Sequence, residues 1–174
     1  VAPYLCYAVE DGPVRLVMLD TMQPGSHSGH CPEAVAGWLE RTLAARPGVP
    51  TLLFMHHPPF VTGMGAMDEP FENVGRLADI LSRSPWVRLC CGHMHRPIVT
   101  QWAGCIALTS PAVSMQIDLD LSPEGGDTFR METPGYLLHH WDGSVLNSHI
   151  CQIPCSPTFS GPHPFVGSVN PVEG

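Results

Sequence analysis

Two segments decide the fold: residues 51–59 read TLLFMHHPP, and residues 87–97 read VRLCCGHMHRP. Each begins with a short, largely apolar run, which is typical of a buried β-strand. The first strand has to end where Pro58 follows, because proline cannot extend a central strand, and Gly92 stops the second. The pattern therefore predicts two strands that are each followed directly by histidines.

The segments around these two strands predict helices and a further strand. A strand is predicted over residues 14–19, and a helix begins at Pro32 and ends at Arg46-Pro47-Gly48. A second amphipathic helix is predicted over residues 72–82. The resulting order is β-α-β-α-β, which indicates an α/β fold with a parallel sheet covered by helices.

After residue 97 the pattern changes to short strands. These are predicted at residues 98–102, 105–109, 136–141 and 145–151, with Asp142-Gly143 as a hairpin signal between the last two. We expect residues 1–153 to form the core, with a turn-rich excursion at about 116–134. Residues 154–174 are rich in proline and glycine, and we expect an extended tail that serves as a cap or a dimer contact.

Composition narrows the possible functions. The chain has 174 residues, a formal net charge of −8 and only eight Lys and Arg. Nucleic acids and anionic membranes bind clustered cations, so neither is an expected partner. No apolar run approaches the ~20 residues that span a bilayer, and we expect a cytoplasmic protein. The seven cysteines are irregularly spaced, which favours reduced thiols over a disulfide framework.

The histidines after the two central strands are candidate metal ligands. A βαβ crossover sets its strands close together with the same polarity, so His56 and His93 should meet beyond one edge of the sheet. His95 lies two residues after His93, and in an extended segment both side chains would point the same way. His57 should point away from His56 and serve in packing or outer hydrogen bonding. The other histidines are interpreted as hydrogen-bonded loop residues (His27, His30, His149, His163) or as an inward and outward pair on a strand (His139, His140).

These motifs resemble the C-terminal part of calcineurin-like metallophosphoesterases, within the class III cyclic-nucleotide phosphodiesterase and glycerophosphodiesterase group. The matching elements are Leu19-Asp20-Thr21, Met55-His56-His57-Pro58-Pro59 and Cys91-Gly92-His93-Met94-His95, together with Pro134-Gly135-Tyr136. The resemblance implies half of a four-layer α/β/β/α sandwich and hydrolysis of phosphodiesters. It also implies two metal ions, such as Fe, Mn or Zn, with His56 and His93 binding one ion and His95 the other.

The family also carries Asp-x-His, Gly-Asp and Gly-Asn-His-Asp elements ahead of its histidine motifs, and none of them stands before His56 in this chain. We therefore expect the chain to be the second half of an enzyme, with the missing N-terminal half as its partner, and a homo-oligomer as the assembly. No side-chain general base is identified. Arg96 is a candidate for contact with a substrate phosphate, and a salt-bridged surface arginine is the alternative.

Two other functions stay open from the residues alone. The missing carboxylates and the proline-rich tail are also compatible with a non-catalytic folding or dimerisation fragment. Three histidines at convergent strand ends also match a mononuclear zinc hydrolase, because catalytic zinc takes three protein ligands and leaves a fourth position open.

Overall fold

The structure of the chain is a computed structural model that describes residues 2–65, 67–126 and 128–154. Within these ranges the chain forms twelve strands and two helices. In chain order they are β1 (Tyr7–Val9), β2 (Arg15–Met18), β3 (Gly29–His30), α1 (Glu33–Ala45), β4 (Thr51–Met55), β5 (Phe71–Glu72), α2 (Val74–Ser82), β6 (Val87–Cys91), β7 (Ile98–Trp102), β8 (Cys105–Thr109), β9 (Gln116–Ile117), β10 (Phe129–Arg130), β11 (Gly135–Trp141) and β12 (Leu146–Gln152).

A six-stranded sheet with the order β1-β2-β4-β6-β8-β7 organises the molecule. Strands β2, β4, β6 and β8 are parallel neighbours, whereas β1 and β7 are antiparallel edge strands. The predicted β-α-β-α-β order is confirmed by β2, α1, β4, α2 and β6. The fold is thus mixed α/β with a mostly parallel central sheet, and the carboxyl ends of β4 and β6 lie side by side.

The main hydrophobic core lies between this sheet and the two helices. Alternate strand residues such as Leu53 and Leu89 face the helices and are fully buried. The helices bury the stripes that their sequence predicts, including Leu39 in α1 and Leu77 in α2. Burying each of these large aliphatic side chains contributes about 1.5–3 kcal/mol to the stability of the fold. This core holds β4 and β6 in place.

Arg15 joins the start of β2 to the end of α1. Its side chain is fully buried, and it donates hydrogen bonds from Nη1 to the Thr42 carbonyl (2.9 Å) and from Nη2 to the Arg46 carbonyl (2.8 Å). Its Nε lies 3.3 Å from Oε1 of Glu10. A helix leaves its last carbonyls without intrahelical donors and carries partial negative charge there. Arg15 satisfies both requirements at the end of α1.

The opposite face of the sheet is covered in part by the β11–β12 hairpin. Phe54 points to this face, and its ring centroid lies 6.1 Å from that of His139. Arg88 donates from Nη1 to Oγ of Ser148 at 2.7 Å. His139 therefore faces the sheet and His140 is exposed, which confirms the prediction of one inward and one outward histidine.

Some local predictions were wrong. Helix α2 begins at Val74, two residues later than expected, after Asn73 in a left-handed conformation. His30 and His149 lie in strands β3 and β12 rather than in loops. Strand β1 was not anticipated; it is only three residues long, and its side chains are exposed or half-buried.

Other predictions concern the excursion, the tail and the cysteines. The excursion carries the short β9–β10 pair. The predicted tail beyond residue 154 lies outside the described residues, as does His163. The six described cysteines form no disulfide with one another. None of the described helices is long and apolar enough to cross a membrane.

Candidate metal centre

The candidate site lies at the carboxyl ends of β4 and β6. Met55 pairs with Cys91 as the last register position of the two strands. His56 and Gly92 come next, and the backbone N–H of Gly92 donates to the His56 carbonyl oxygen at 3.0 Å. The strand pairing therefore continues for one more bond and holds both histidine segments side by side.

Three imidazoles meet at this edge. His56, His57 and His93 each offer one ring nitrogen, and these nitrogens all lie within 4.8 Å of one another. The ring centroid of His56 is 4.8 Å from that of His57 and 5.3 Å from that of His93. This spacing is close enough for a shared cation after small side-chain adjustments, because metal–imidazole bonds of about 2.0–2.1 Å place ligand nitrogens about 3.3 Å apart around a tetrahedral ion.

His57 does not point away from His56, so that prediction was wrong. The two residues follow the end of β4 in a bend, where the alternation of side chains along a strand no longer applies. His57 is buried, and its Nδ1 lies 2.9 Å from Oγ1 of the buried Thr21. The structure thus gives His57 both a hydrogen-bond partner and a place in the cluster, and its role as a support stays a prediction.

His95 does not share one extended segment with His93, contrary to the sequence prediction. His93 has φ 66° and His95 has φ 51°, so both lie in the left-handed region. Non-glycine residues in this region are uncommon and concentrate at functional sites. His95 is not in the group of three nitrogens, but its charge acts on both His56 and His93. Its role as a ligand of a second ion stays a prediction.

The pKa values of His56, His57 and His93 are lowered, which favours the neutral form that binds metals. Burial, followed by the neighbouring His56 and His93, lowers the pKa of His57 to about 4. Partial desolvation and the nearby His95 lower the pKa of His56, and burial lowers that of His93. Metal ligation requires deprotonated imidazole. The site is therefore ready for a cation at neutral pH without the loss of a proton.

Unpartnered nitrogens also favour a cation. His93 Nε2 and His95 Nδ1 are inaccessible to solvent and have no hydrogen-bond partner among the described residues. Buried polar atoms in native proteins almost always have a partner. Together with the cluster of neutral imidazoles, these atoms show that the residues present fit a metal ion.

Two glycines allow the histidines to approach their neighbours. A Cβ on Gly29 would lie 2.6 Å from Cβ of His57 and 2.6 Å from Cδ2 of Phe71. A Cβ on Gly92 would lie 3.2 Å from Nδ1 of His56. The glycine in the loop after Leu19-Asp20-Thr21 was noticed in the sequence, but its contact with a segment 28 residues away carries no local signal.

The candidate phosphate contact, Arg96, has protein partners. Its Nη2 donates to Oε1 of Glu132 at 2.8 Å, and its Nε donates to the Ile117 carbonyl. The arginine is therefore salt-bridged, in line with the alternative interpretation. Its contact with a substrate phosphate stays a prediction.

The chain is similar to several bacterial phosphodiesterases. The chain is 38% identical over 166 residues to a probable glycerophosphodiester phosphodiesterase of Arcobacter nitrofigilis, covering 93% of this chain and 60% of the relative. It is 34% identical over 148 residues to a glycerophosphodiester phosphodiesterase of Enterobacter lignolyticus, covering 82% and 52%. It is 33% identical over 135 residues to the 3′,5′-cyclic adenosine monophosphate phosphodiesterase of Escherichia coli K12, covering 75% and 48%.

Each of these matches covers only part of the relative's length. The chain spans 60% or less of the length of these three relatives. No protein-family profile matches the chain. Relatives with two different phosphodiester substrates in their names align over most of the chain, including the strands that carry the histidines.

Proposed function

Since the chain belongs to the calcineurin-like metallophosphoesterases, we propose that it supplies the histidine half of a metal centre that hydrolyses phosphodiesters. The observation that carries this proposal is the meeting of three neutral imidazoles at the ends of adjacent parallel strands. Ligand crevices of open α/β sheets lie beyond such strand ends. The names of the relatives supply the reaction class.

In this proposal the chain's residues hold and orient the metal. His56 and His93 are ligands of one ion, and His95 is a ligand of a second ion. Bound metals supply a hydroxide nucleophile and neutralise charge on the phosphate oxygens. Thr21 fixes the ring of His57 beside them through the 2.9 Å contact at Nδ1. In this proposal the N-terminal half would supply the carboxylate ligands and would complete the four-layer sandwich.

The proposed substrate is a small molecule that contains a phosphodiester. Glycerophosphodiesters and cyclic nucleotides are the two candidates, because these are the substrates in the names of the relatives. Both present a phosphate with two ester bonds to the metals. We also propose a cytoplasmic homo-oligomer, in which the tail caps the site or contacts another subunit.

A mononuclear zinc hydrolase is the second candidate. It is favoured by one specific observation: the three nitrogens within 4.8 Å of one another belong to His56, His57 and His93, and no carboxylate is among them. Three histidines with an open fourth position are a known catalytic zinc arrangement. This candidate differs from the first in the number of ions and in the role of His57.

Hydrolysis of bis(p-nitrophenyl) phosphate by the full-length protein tests the proposal. We expect turnover that is lost on chelation, restored by Mn²⁺ or Zn²⁺, and reduced by at least about 100-fold in His93→Ala, because a direct ligand is removed. His140→Ala is the matched control, since His140 is exposed on the outer face of the hairpin. Full turnover in His93→Ala, or no turnover with any divalent metal, favours a non-catalytic fragment instead.

The number of bound ions separates the two candidates. Two ions per chain, with His95→Ala reducing the number to one, support the binuclear centre. One ion per chain, with His57→Ala abolishing binding and His95→Ala leaving it intact, supports the mononuclear zinc site.

A further inference from the structure

The loop after the first histidine pair brings a carboxylate to the site. Residues 61–69 follow Pro58-Pro59, and Asp68 fixes this loop from within. Asp68 accepts hydrogen bonds from the backbone N–H of Thr62 (2.8 Å), from the Thr62 hydroxyl (2.8 Å) and from the Gly63 N–H (2.8 Å). Three bonds to one carboxylate hold Asp68 against Thr62 and Gly63. Glu69 directly follows Asp68.

Glu69 and His93 line the same small cavity. This cavity has a volume of about 10 Å³ and is also lined by Gly29, His57 and Met94. Such a volume holds about one water-sized guest. The cavity therefore borders two of the three imidazoles of the cluster, His57 and His93, and has room for about one water.

Each of the two residues contributes one unpartnered atom. Oε2 of Glu69 and Nε2 of His93 are inaccessible to solvent and have no hydrogen-bond partner among the described residues. A buried carboxylate oxygen without a donor is costly, and so is a buried imidazole nitrogen without a partner. One atom is an acceptor and the other becomes a donor when it carries the ring proton. Glu69 Oε2 lacks a donor and His93 Nε2 lacks an acceptor, so the two atoms are complementary.

A histidine that binds a metal needs a hydrogen-bond partner for its second ring nitrogen. An imidazole that gives the lone pair of one nitrogen to a metal keeps its proton on the other nitrogen, and this N–H usually meets a carboxylate, a carbonyl or water. Such an acceptor fixes the tautomer and the ring orientation and raises the basicity of the ligand. For His93 the buried Nε2 is the nitrogen that lacks an acceptor, which leaves Nδ1 for the metal.

We propose that Glu69 is the positioning residue of His93: its carboxylate accepts a hydrogen bond from one water, this water accepts the Nε2–H of His93, and the link sets the Nδ1 lone pair toward the metal. This inference rests on the proposed function, in that His93 is a metal ligand. It adds a carboxylate from the loop at residues 61–69 to a site in which the sequence motifs showed only histidines. Glu69 acts through His93 and is not itself in the group of three ligand atoms.

Equilibrium binding of Zn²⁺ and Mn²⁺ to the full-length protein tests this role. Glu69→Gln keeps the size of the side chain and removes its charge, and we expect its affinity for the metal to fall by about 10- to 100-fold, the effect of losing an outer partner of a ligand. Glu72→Gln is the matched control, because Glu72 is exposed and lies three residues further along. Glu69→Asp keeps the charge and should restore part of the affinity.

A second readout does not require metal. The ¹⁵N chemical shifts of His93 report its tautomer, and we expect the Nε2–H form in the wild type and a loss of that preference in Glu69→Gln. Reduced affinity with a changed tautomer supports the inference. Wild-type affinity and tautomer in Glu69→Gln overturn it and leave the proposed function standing. A wild-type protein that binds no metal overturns the proposed function, and this inference with it.

Discussion

Gly92 lies against the ring of His56. Its N–H donates to the His56 carbonyl at 3.0 Å, and a Cβ at this position would be 3.2 Å from Nδ1 of the same residue. This contact joins the ends of β4 and β6 and sets the position of the His56 imidazole. Contacts of this length are tighter than a methyl group normally accepts, so a side chain here displaces the ring.

Gly92→Ala should therefore weaken metal binding more than folding. We expect about a tenfold loss of metal affinity, since ring orientation controls ligand strength, with a fall of only a few degrees in the melting temperature. Titration calorimetry with Zn²⁺ and a thermal melt measure the two effects. Gly75→Ala in α2 is the control, because a Cβ there meets nothing within 4 Å, and an unchanged affinity in Gly92→Ala argues against this role.

Thr21 should stabilise the site through His57. Thr21→Val keeps the shape and removes the hydroxyl that lies 2.9 Å from His57 Nδ1, which leaves a buried nitrogen without its partner. We expect a loss of about 1–3 kcal/mol in the free energy of unfolding, measured by urea denaturation. Thr21→Ser keeps a hydroxyl and should retain most of this stability.

Thr100→Val is the matched control for Thr21→Val. Thr100 lies half-buried in β7, outside the site. Surface substitutions of this kind usually change stability by less than about 0.5 kcal/mol. Equal effects of the two valine substitutions would contradict the special role of the Thr21 hydroxyl.

Arg15 should contribute to the stability of the whole sheet–helix unit. Arg15→Met removes the two charged hydrogen bonds to the Thr42 and Arg46 carbonyls, and each such bond contributes about 1.5–3 kcal/mol. We therefore expect a loss of at least about 3 kcal/mol, measured by urea denaturation. Arg41→Met on the exposed side of α1 is the control, and a loss no larger than that of the control would show that Arg15 does not hold the helix end.

The cysteines should react with iodoacetamide in an order that follows burial. Burial raises the pKa of Cys90 to about 12 and those of Cys31 and Cys105 to about 11. At pH 8 the thiolate fraction of Cys90 is on the order of one in ten thousand, and reactivity follows the thiolate. Raising the pH toward 11 in the folded protein should speed the reaction of these thiols.

Mass spectrometry of the labelled peptides measures this order. Cys151 lies half-exposed on β12 and should be labelled first. In urea all six described cysteines should react at similar rates. Labelling of Cys90 in the native protein as fast as that of Cys151 would show that β6 is not buried as the structure has it.

The sequence predicts the centre of the sheet well because β4 and β6 are largely buried on both faces. Thr51–Met55 and Val87–Cys91 are short, largely apolar runs with turn signals after them, and the structure has these bounds. Parallel strands of this kind read as continuous apolar segments. The helix between these two strands predicts that they lie close together with the same polarity, and the structure pairs them in parallel. The meeting of His56 with His93 was a consequence of that topology.

The side-chain directions at the site were less accessible to sequence reasoning. The prediction for His57 assumed strand alternation, and that for His93 and His95 assumed an extended segment. The chain bends after Met55, and it adopts left-handed conformations at His93 and His95. Thr21 and Glu69 reach the site from loops. Their contacts are long-range, and the local sequence pattern does not predict them. Strand ends were predictable here, and the geometry beyond them depended on tertiary packing.

Equilibrium metal binding to the wild-type protein and to a His56→Ala/His93→Ala double variant tests the central claim most directly. We expect that the folded wild type binds Zn²⁺ or Mn²⁺ and that the double variant, with an unchanged circular dichroism spectrum, loses at least about 100-fold in affinity at this site. A folded double variant that binds the same number of ions with the same affinity would contradict this claim.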